Sequence, residues 1–360
     1  MSPSLSGFAA STQGDAARRR AKPGLRWPGA GARRSHRSRG AALLAAMLTV
    51  TLVATFAAAA MWQQWRAVEV ETAERGRVQS AWILVGALDW SRLILREDGR
   101  SGGADHLAEP WAVPLQEARL STFLAATNNV SQVDDASTDT TEAFLSGRIS
   151  DMQARLNITN LVTGGQVQAQ DLRQFTRLFE RLGLSTQQLS LLVDAMRRAQ
   201  TSTTSTSNGG NTAPLMPTTV SQLGWLGLTP ATIATLAPHV TLLPVRTPVN
   251  INTADIDVLM AAIDGIDSAS AQKLVQSRES SHFRALSDAK KLLPDSITLD
   301  SSSFSVASAY FEVRGRLRLG DTMLDERSLV RKIGMDVTTL WRERGAFDRE
   351  TATADGGAGR

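Results

Sequence analysis

The chain has no cysteine among its 360 residues. That excludes disulfides and thiolate metal sites and leaves the redox compartment unconstrained. Its four histidines, His36, His106, His239 and His282, are scattered. No two stand at metal-ligand spacing, so a histidine metal site is not expected. There is no Walker loop, no H-E-x-x-H and no Cys/His pair, and no nucleophile elbow is expected. Nothing in the spacing of the carboxylates singles out a general acid and base, so the chain does not read as an enzyme. A basic surplus is missing where it would matter. The net charge of +4 and the pI near 9.9 suggest a nucleic-acid binder. Yet residues 1–40 hold eight Arg and Lys22 against Asp15, a local charge of +8, and the other 320 residues sum to −4. The bulk has no excess of positive charge to attract phosphate. Length alone allows one to three domains.

Also absent, from Ala41 to Met61, is any charge, proline or glycine. These 21 residues rise about 1.5 Å each, close to the roughly 30 Å of a bilayer's hydrocarbon core. Trp62 and Trp65 follow at the place of interfacial aromatics, and the arginine-rich side is expected to stay cytoplasmic, with the rest across the membrane. Three fates are open. A secretory signal has an apolar region of about 7–15 residues, shorter than this one, although Ala57–Ala60 offers an A-x-A cleavage site. A permanent anchor fits the length. The third fate turns on Gly40, where a basic leader ends and the apolar run begins at Ala41. Cleavage there, on the cytoplasmic side, removes the leader and keeps the helix. Small residues at four-residue spacing, Ala41/Ala45, Ala42/Ala46 and Ala54/Ala58, permit close helix packing. A plain anchor accounts for them equally well.

Further along, Val78, Trp82, Val85, Leu88 and Leu93 recur near helical spacing, so the helix is predicted to run on to about residue 98 and to end in the glycines of GRSGGAD. Residues 105–143 read as loop, with a polar run DDASTDTTE. FLSGRISDMQARLNITNL (144–161) predicts short strands through Ile149, Leu156 and Ile158. A helix over DLRQFTRLFERL carries Leu172, Phe175, Leu178, Phe179 and Leu182 on one face, with Asp171 as its cap and Gly183 as its stop. A second runs from Ser185 to Met196, TSTTSTSNGGNTA (201–213) is a low-complexity linker, and Thr229-Pro230 opens another helix. In NINTADIDVLMAAIDGIDSASAQKLVQSRE, helices over 253–263 and 268–279 flank the turn Gly265-Ile266-Asp267, which resembles a helix-hairpin-helix. Such turns offer amides to a DNA phosphate when glycine lies on both sides of the central residue. Here the second position is Asp267, a negative charge, and Lys273, Arg278 and Arg284 are offset by Asp255, Asp257, Asp264 and Glu279. A packing module without DNA is the favoured reading. FSVASAYFEVRGRLRLG and SLVRKIGMDVTTLWRERG predict a hairpin with Leu329, Val330, Ile333 and Val337 inward, and with Arg314, Arg316 and Arg318 on a solvated face.

RGAALLAA around Gly40 resembles the start of the K-class minor pseudopilins of type II secretion. DHLAEPWAVPL, ISDMQARLNITNL, the N-x-N-T-A hairpin segment and the closing strands resemble the family's later segments, in order, from Arg39 to about Leu340. Most other pseudopilins carry a Glu at the fifth residue after the cut. Here it is Ala45, as in the K class, and an unpaired carboxylate in hydrocarbon would be costly. The resemblance implies an α+β fold in which a long N-terminal transmembrane helix packs on a small antiparallel sheet, with a large helical domain inserted in the sheet. The implied order is leader 1–40, transmembrane helix 41–62, first part of a pilin-like domain 63–165, inserted domain 166–300 with the hairpin unit 250–293, closing strands 301–343 and a disordered tail 344–360. It also implies cleavage between Gly40 and Ala41 by prepilin peptidase, N-methylation of Ala41, and helix packing through Ala42, Ala45, Ala46 and Ala54. The implied partners are the I- and J-class pseudopilins, the inner-membrane secretion platform and secreted substrate, at the tip of a pseudopilus. The location is the bacterial inner membrane, in a single pass with the main domain periplasmic. The family's acidic calcium stretch is degenerate here: LLVDAMRRAQTSTTSTSNGGNTAP keeps Asp194 but not the acids after it. Calcium takes six to eight oxygens with several carboxylates, so no calcium and no other cofactor is expected there. The alternative is a membrane-anchored DNA receptor using the helix-hairpin-helix. Residues 63–249 and the strands after the hairpin are then unexplained.

Overall fold

The structure, a computed structural model, describes residues 38–122, 143–202, 214–320 and 322–345. The leader to residue 37, the run 134–142, the linker from 203 to 213 and the tail after 345 lie outside the described residues. Two compact units divide the chain, Met1–Glu69 and Val70–Arg360, and helix α1 (Ser38–Ser101) contributes to both.

In the first unit α1 is exposed all round from Gly40 to Glu69, and its apolar part is long enough to cross a membrane. In the second unit it has a covered face. Ser80, Leu84, Leu88, Ser91 and Leu95 are buried, at the three- and four-residue steps of one helix face. The residues that predicted the helix mark mostly the other side: Val78, Trp82 and Leu93 are exposed. Both faces are apolar enough to give the period, so the period alone did not tell which face is covered. Gly102 and Gly103 end the helix at φ +64° and +118°, where glycine bears no Cβ penalty.

A 3-10 turn at Pro110–Ala112 buries Trp111 between α1 and the sheet that starts with β1 (Leu115–Arg119) and β2 (Ala143–Asp151). The predicted strands of 144–161 shorten after β2. Asp151 and Asn157 accept hydrogen bonds from the amides of Gln153 and Thr159, a local alternative to the strand ladder. Two 3-10 turns therefore flank the two-residue β3 (Leu156–Asn157), and Ile158 lies in the second turn. A small hairpin, β4 (Val162–Thr163) and β5 (Gln166–Val167), leads into α2 (Ala169–Arg181) and α3 (Thr186–Ser202). Asp171 does not cap α2. It is buried inside the first turn, with Oδ2 2.5 Å from Arg246 Nη1, while Gln168 holds the cap position without capping the helix through its side chain, which donates to the Gln166 carbonyl instead. α3 continues past Met196 because no glycine or proline interrupts it.

Next come α4 (Pro230–Leu236), with the Thr229 hydroxyl accepting the Thr232 amide at 3.2 Å, then β6 (Val240–Thr241) parallel to β3. β7 (Val249–Asn250), α5 (Ile256–Ala262), α6 (Ser268–Ser280), α7 (Leu286–Lys290) and β8 (Phe304–Ser305) complete this helical body. Its single core joins Phe175, Leu178 and Phe179 of α2 to Leu192 and Met196 of α3 and to Leu259 and Leu274 of the hairpin helices.

The chain then returns to the sheet through β9 (Tyr310–Leu319), β10 (Thr322–Ile333) and β11 (Asp336–Gly345). The order is β1-β2-β9-β10-β11, antiparallel throughout. The helical body is thus inserted between the neighbouring strands β2 and β9. Where the sequence predicts one hairpin there are two. Ile333, expected inside, is 60% exposed because it stands at the β10–β11 turn before Gly334. One face of the sheet lies under α1: Leu84 meets Leu145 and Leu317, and Leu88 and Leu95 meet Ile149, Val313 and Val330. Gly315 allows this approach, since a Cβ there would lie 3.3 Å from Leu84 Cδ2.

Candidate interaction site

Gly40 and Ala41 sit in the first turns of α1, and Ala41, Ala42, Ala45, Ala46 and Ala54 are all exposed. On the part of α1 in the second unit, Val78, Trp82 and Leu93 form an apolar stripe opposite the face that covers the sheet. Trp82 alone is 71% exposed. Large apolar residues left in water on the open side of a helix are candidates for contact with a partner.

The hairpin turn is built for packing. Gly265 takes φ +72°, half-buried Ile266 packs on the helical core, and Asp267 caps α6 by accepting the Ser270 amide at 2.7 Å. The amide end that would receive a phosphate is therefore closed by the chain's own carboxylate. That bond holds the Asp267 carboxyl below its usual range. Arg278 is committed as well, its guanidinium donating to the Ile251 carbonyl at 2.6 Å. The N-x-N-T-A segment before the hairpin is a buried clamp. Asn252 donates to and accepts from the backbone of Phe283, both at 2.9 Å. Asn250 donates to Ser308 Oγ and to the Asp105 carbonyl, and Thr253 donates to Asp151 at 2.6 Å. Ser308 also donates to Asp151, so the motif ties the body to the end of β2 and the entry to β9.

Two groups of potential metal ligands exist among the described residues: Asp98, Asp105 and Glu109, and His239, Asp255 and Asp257. Each already has a cation from the protein. The Lys332 ammonium bridges Asp98 and Asp105, and Arg181 pairs with Asp257 at 2.5 Å. Burial pushes Asp105 up to about 6 against the pull of Lys332. Burial likewise raises Glu109 to about 7, although it accepts the His106 amide at 2.9 Å and the Trp111 indole N–H at 2.6 Å. His106 stacks on His282 at 3.7 Å; burial first, and then the charge of His282, lowers its pKa. The first group borders a cleft of about 200 Å³.

Gly99–Gly103 spells G-x-S-x-G, a match that sequence inspection passes over. Ser101 ends α1 and donates its hydroxyl to the Asp98 carbonyl at 2.8 Å. This is not the strand-to-helix elbow that exposes a nucleophile. The arginines of β9 lie on the sheet face away from α1, half-buried rather than freely solvated. Arg314 pairs with Glu312, Arg316 with Asp325 at 2.7 Å and Arg318 with Glu117 at 2.6 Å.

Comparison with known proteins shows what these features resemble. Two family models, both described as type II secretion system protein K, match residues 154–245 and 249–307. They cover the helical body and the clamp. The type II secretion system protein K of Pseudomonas aeruginosa is 29% identical over 304 residues, spanning 78% of this chain and 85% of its own length. That of Pectobacterium carotovorum is 25% identical over 340 residues, 86% of this chain and 98% of its own. The fold is similar, with a TM-score of 0.54, to a chain in the crystal structure of the GspK-GspI-GspJ complex from enterotoxigenic Escherichia coli. That match is 19% identical and spans 76% of this chain and 98% of the other. The inserted helical body with its N-x-N-T-A clamp matches the family models of type II secretion system protein K, and the chain is similar along most of its length to proteins of that name.

Proposed function

We propose that this protein is a minor pseudopilin of type II secretion, cut by prepilin peptidase between Gly40 and Ala41 and held in the inner membrane by the helix that starts there. One observation carries the reading. The apolar run begins directly after the basic leader and continues in one helix, α1, to Ser101. The same helix is anchor and sheet-covering element, so a cut near Ala60 would divide it, whereas a cut after Gly40 leaves it whole. The Arg-rich leader stays cytoplasmic and the second unit periplasmic. Ala41 becomes the new N-terminus and is N-methylated.

The exposed stripe Val78, Trp82 and Leu93 receives the helices of I- and J-class pseudopilins, with Ala42, Ala45, Ala46 and Ala54 packing inside the membrane. The solved relative was crystallised in a GspK-GspI-GspJ complex, which supports these partners. The large inserted body belongs at the tip, where it acts in pseudopilus assembly and export across the outer membrane, and the inner-membrane platform and secreted substrate are further partners. The role is structural, not enzymatic. No calcium is bound around residues 191–214, where Asp194 pairs with Arg197 at 3.4 Å; a tight calcium site on titration calorimetry, lost in Asp194→Asn, would overturn that.

The decisive experiment is the mature N-terminus and intact mass of membrane-extracted protein, with and without co-expressed prepilin peptidase. A peptidase-dependent N-terminus at Ala41 is expected. An uncut chain, or one cut near Ala60, would sink the proposal.

A further inference from the structure

Between α1 and the sheet, within the second unit, lies a cavity of about 60 Å³. Leu84 and Leu88 of α1, Trp111 of the 3-10 turn, and Ile149 and Val313 of the strands give it apolar walls. Space is left on the sheet side because Gly147 of β2 and Gly315 of β9, direct cross-strand partners, put no side chain into it. The volume is room for about four to six water-sized groups, or for one six-membered ring, whose bonded atoms lie closer together than waters do. Half-buried Trp90 and Val113, which is 67% exposed, also line it. Its mouth is therefore at the surface, beside the segment that leads into β1.

Two polar side chains of β10 stand in the wall, and they differ. The Glu326 carboxylate, opposite Gly315 in the ladder, is buried but already bonded by Arg342 at 3.0 Å and by Arg344 at 2.5 Å. The apolar walls offer no partner to a charge, and burying an unpaired charge is costly, so the cavity suits a neutral occupant. Ser328 lies on the strand face that carries Val330 under α1; it is 1% exposed and lines the cavity. Among the described residues nothing hydrogen-bonds its hydroxyl. A buried hydroxyl left unmet costs free energy, and this one can both donate and accept.

We propose that the cavity receives a tyrosine side chain of a partner protein, with the ring between α1 and the sheet and the phenol hydroxyl on Ser328. Size, neutrality and a single polar group together fit a phenol. Phenylalanine would leave Ser328 unmet, and the indole of tryptophan is too large for the volume. A second copy of this chain cannot supply the ring, because its one tyrosine, Tyr310, is itself buried among Met152, Leu243 and Leu329. The apolar rim at Trp90 and Val113 lets a side chain enter while its backbone stays outside, and aromatic anchors in such pockets carry much of the energy of protein interfaces. The inference depends neither on processing nor on membrane insertion.

The test uses the full chain in lipid nanodiscs and p-cresol, the side-chain analogue of tyrosine, titrated by ligand-observed NMR with empty nanodiscs subtracted. Saturable binding is expected, tighter than that of toluene, which has the same ring without the hydroxyl. Ser328→Ala should weaken p-cresol about two- to tenfold, the effect of one hydrogen bond, while toluene binding and the thermal midpoint stay level. Ser328→Leu fills the cavity and should abolish binding of both. Acetyl-Gly-Tyr-Gly-amide should bind as p-cresol does, and the phenylalanine tripeptide more weakly. Absence of saturable p-cresol binding, equal affinity for p-cresol and toluene, or no effect of Ser328→Ala would overturn the proposal. Binding of p-cresol without the tyrosine tripeptide would overturn it as well, by assigning the cavity to a free phenol instead of a partner's side chain.

Discussion

Asp105 and Glu109 keep their protons to higher pH than exposed carboxyls do, about 6 and about 7 against 3.8 and 4.5, and burial is the first cause for both. The folded state therefore binds more protons than the unfolded chain between pH 4 and 7. The stability these groups contribute is complete below about pH 4 and is lost as pH rises through 6 and 7. The thermal midpoint of the purified protein should accordingly drop between pH 5.5 and 8, by about 2–4 °C for each kcal/mol involved. Glu109→Gln keeps an acceptor for the His106 and Trp111 N–H groups but cannot ionise, so the drop should shrink in that variant. Near-UV circular dichroism melts at both pH values would show it, and an equal drop in the two proteins would refute the assignment. At this scale the sequence was legible as a motif but not as a network. N-x-N-T-A is readable in any six-residue window, whereas Asn250 finds its partners 58 and 145 residues away, at Ser308 and Asp105. Asp171 shows the same limit. Its place at the start of a helix suggested a cap, and only the fold brings Arg246 to it.

At the scale of elements, hydrophobic periodicity located α1 and α2 well, and it failed where two faces of one helix are both apolar. The covered stripe of α1 contains Ser80 and Ser91, the open one Trp82, so composition pointed the wrong way. The contrast can be measured. Leu88 is 3% exposed and packs beside Trp111 and Phe311, so Leu88→Ala should cost about 2–5 kcal/mol by transfer and cavity terms together. Trp82→Ala removes a larger side chain from water and should change stability by no more than about 0.5 kcal/mol. Under the proposed function it should still reduce co-purification of the I- and J-class pseudopilins several-fold. Urea unfolding and pull-down from the same preparations separate the two effects. If Trp82→Ala destabilised the fold as much as Leu88→Ala, the outer stripe would be core and not interface. The strands were harder to read because β9 to β11 are long and irregularly buried, so two hairpins looked like one.

For the whole molecule, what governs behaviour is the placement of charge rather than its sum. The +8 of residues 1–40 and the −4 of the rest belong to pieces that processing would separate. Phosphate binding follows the local count of basic groups and falls linearly with the logarithm of salt. The unprocessed chain should therefore retard duplex DNA at 50 mM salt and lose most of that retardation by 200 mM. The chain beginning at Ala41 should show none at about 10 µM protein and 150 mM salt, although that concentration falls within the range of ordinary non-specific dissociation constants. The hairpin turn makes the same prediction from its geometry, because Asp267 already fills the amide end of α6. Opening that end with Asp267→Gly in the chain beginning at Ala41 removes both the cap and the charge, and it restores the glycine that a phosphate-binding turn has at this place. If the turn is only a packing device, gel shifts of this variant stay negative and its melting point falls slightly for want of the cap, by about a few tenths of a kcal/mol in stability, since glycine is itself a tolerated cap residue. Salt-sensitive retardation by the parent chain lacking its leader would instead mean that the turn contacts DNA despite Asp267, and the reading of this chain as a purely structural pseudopilin would have to give way.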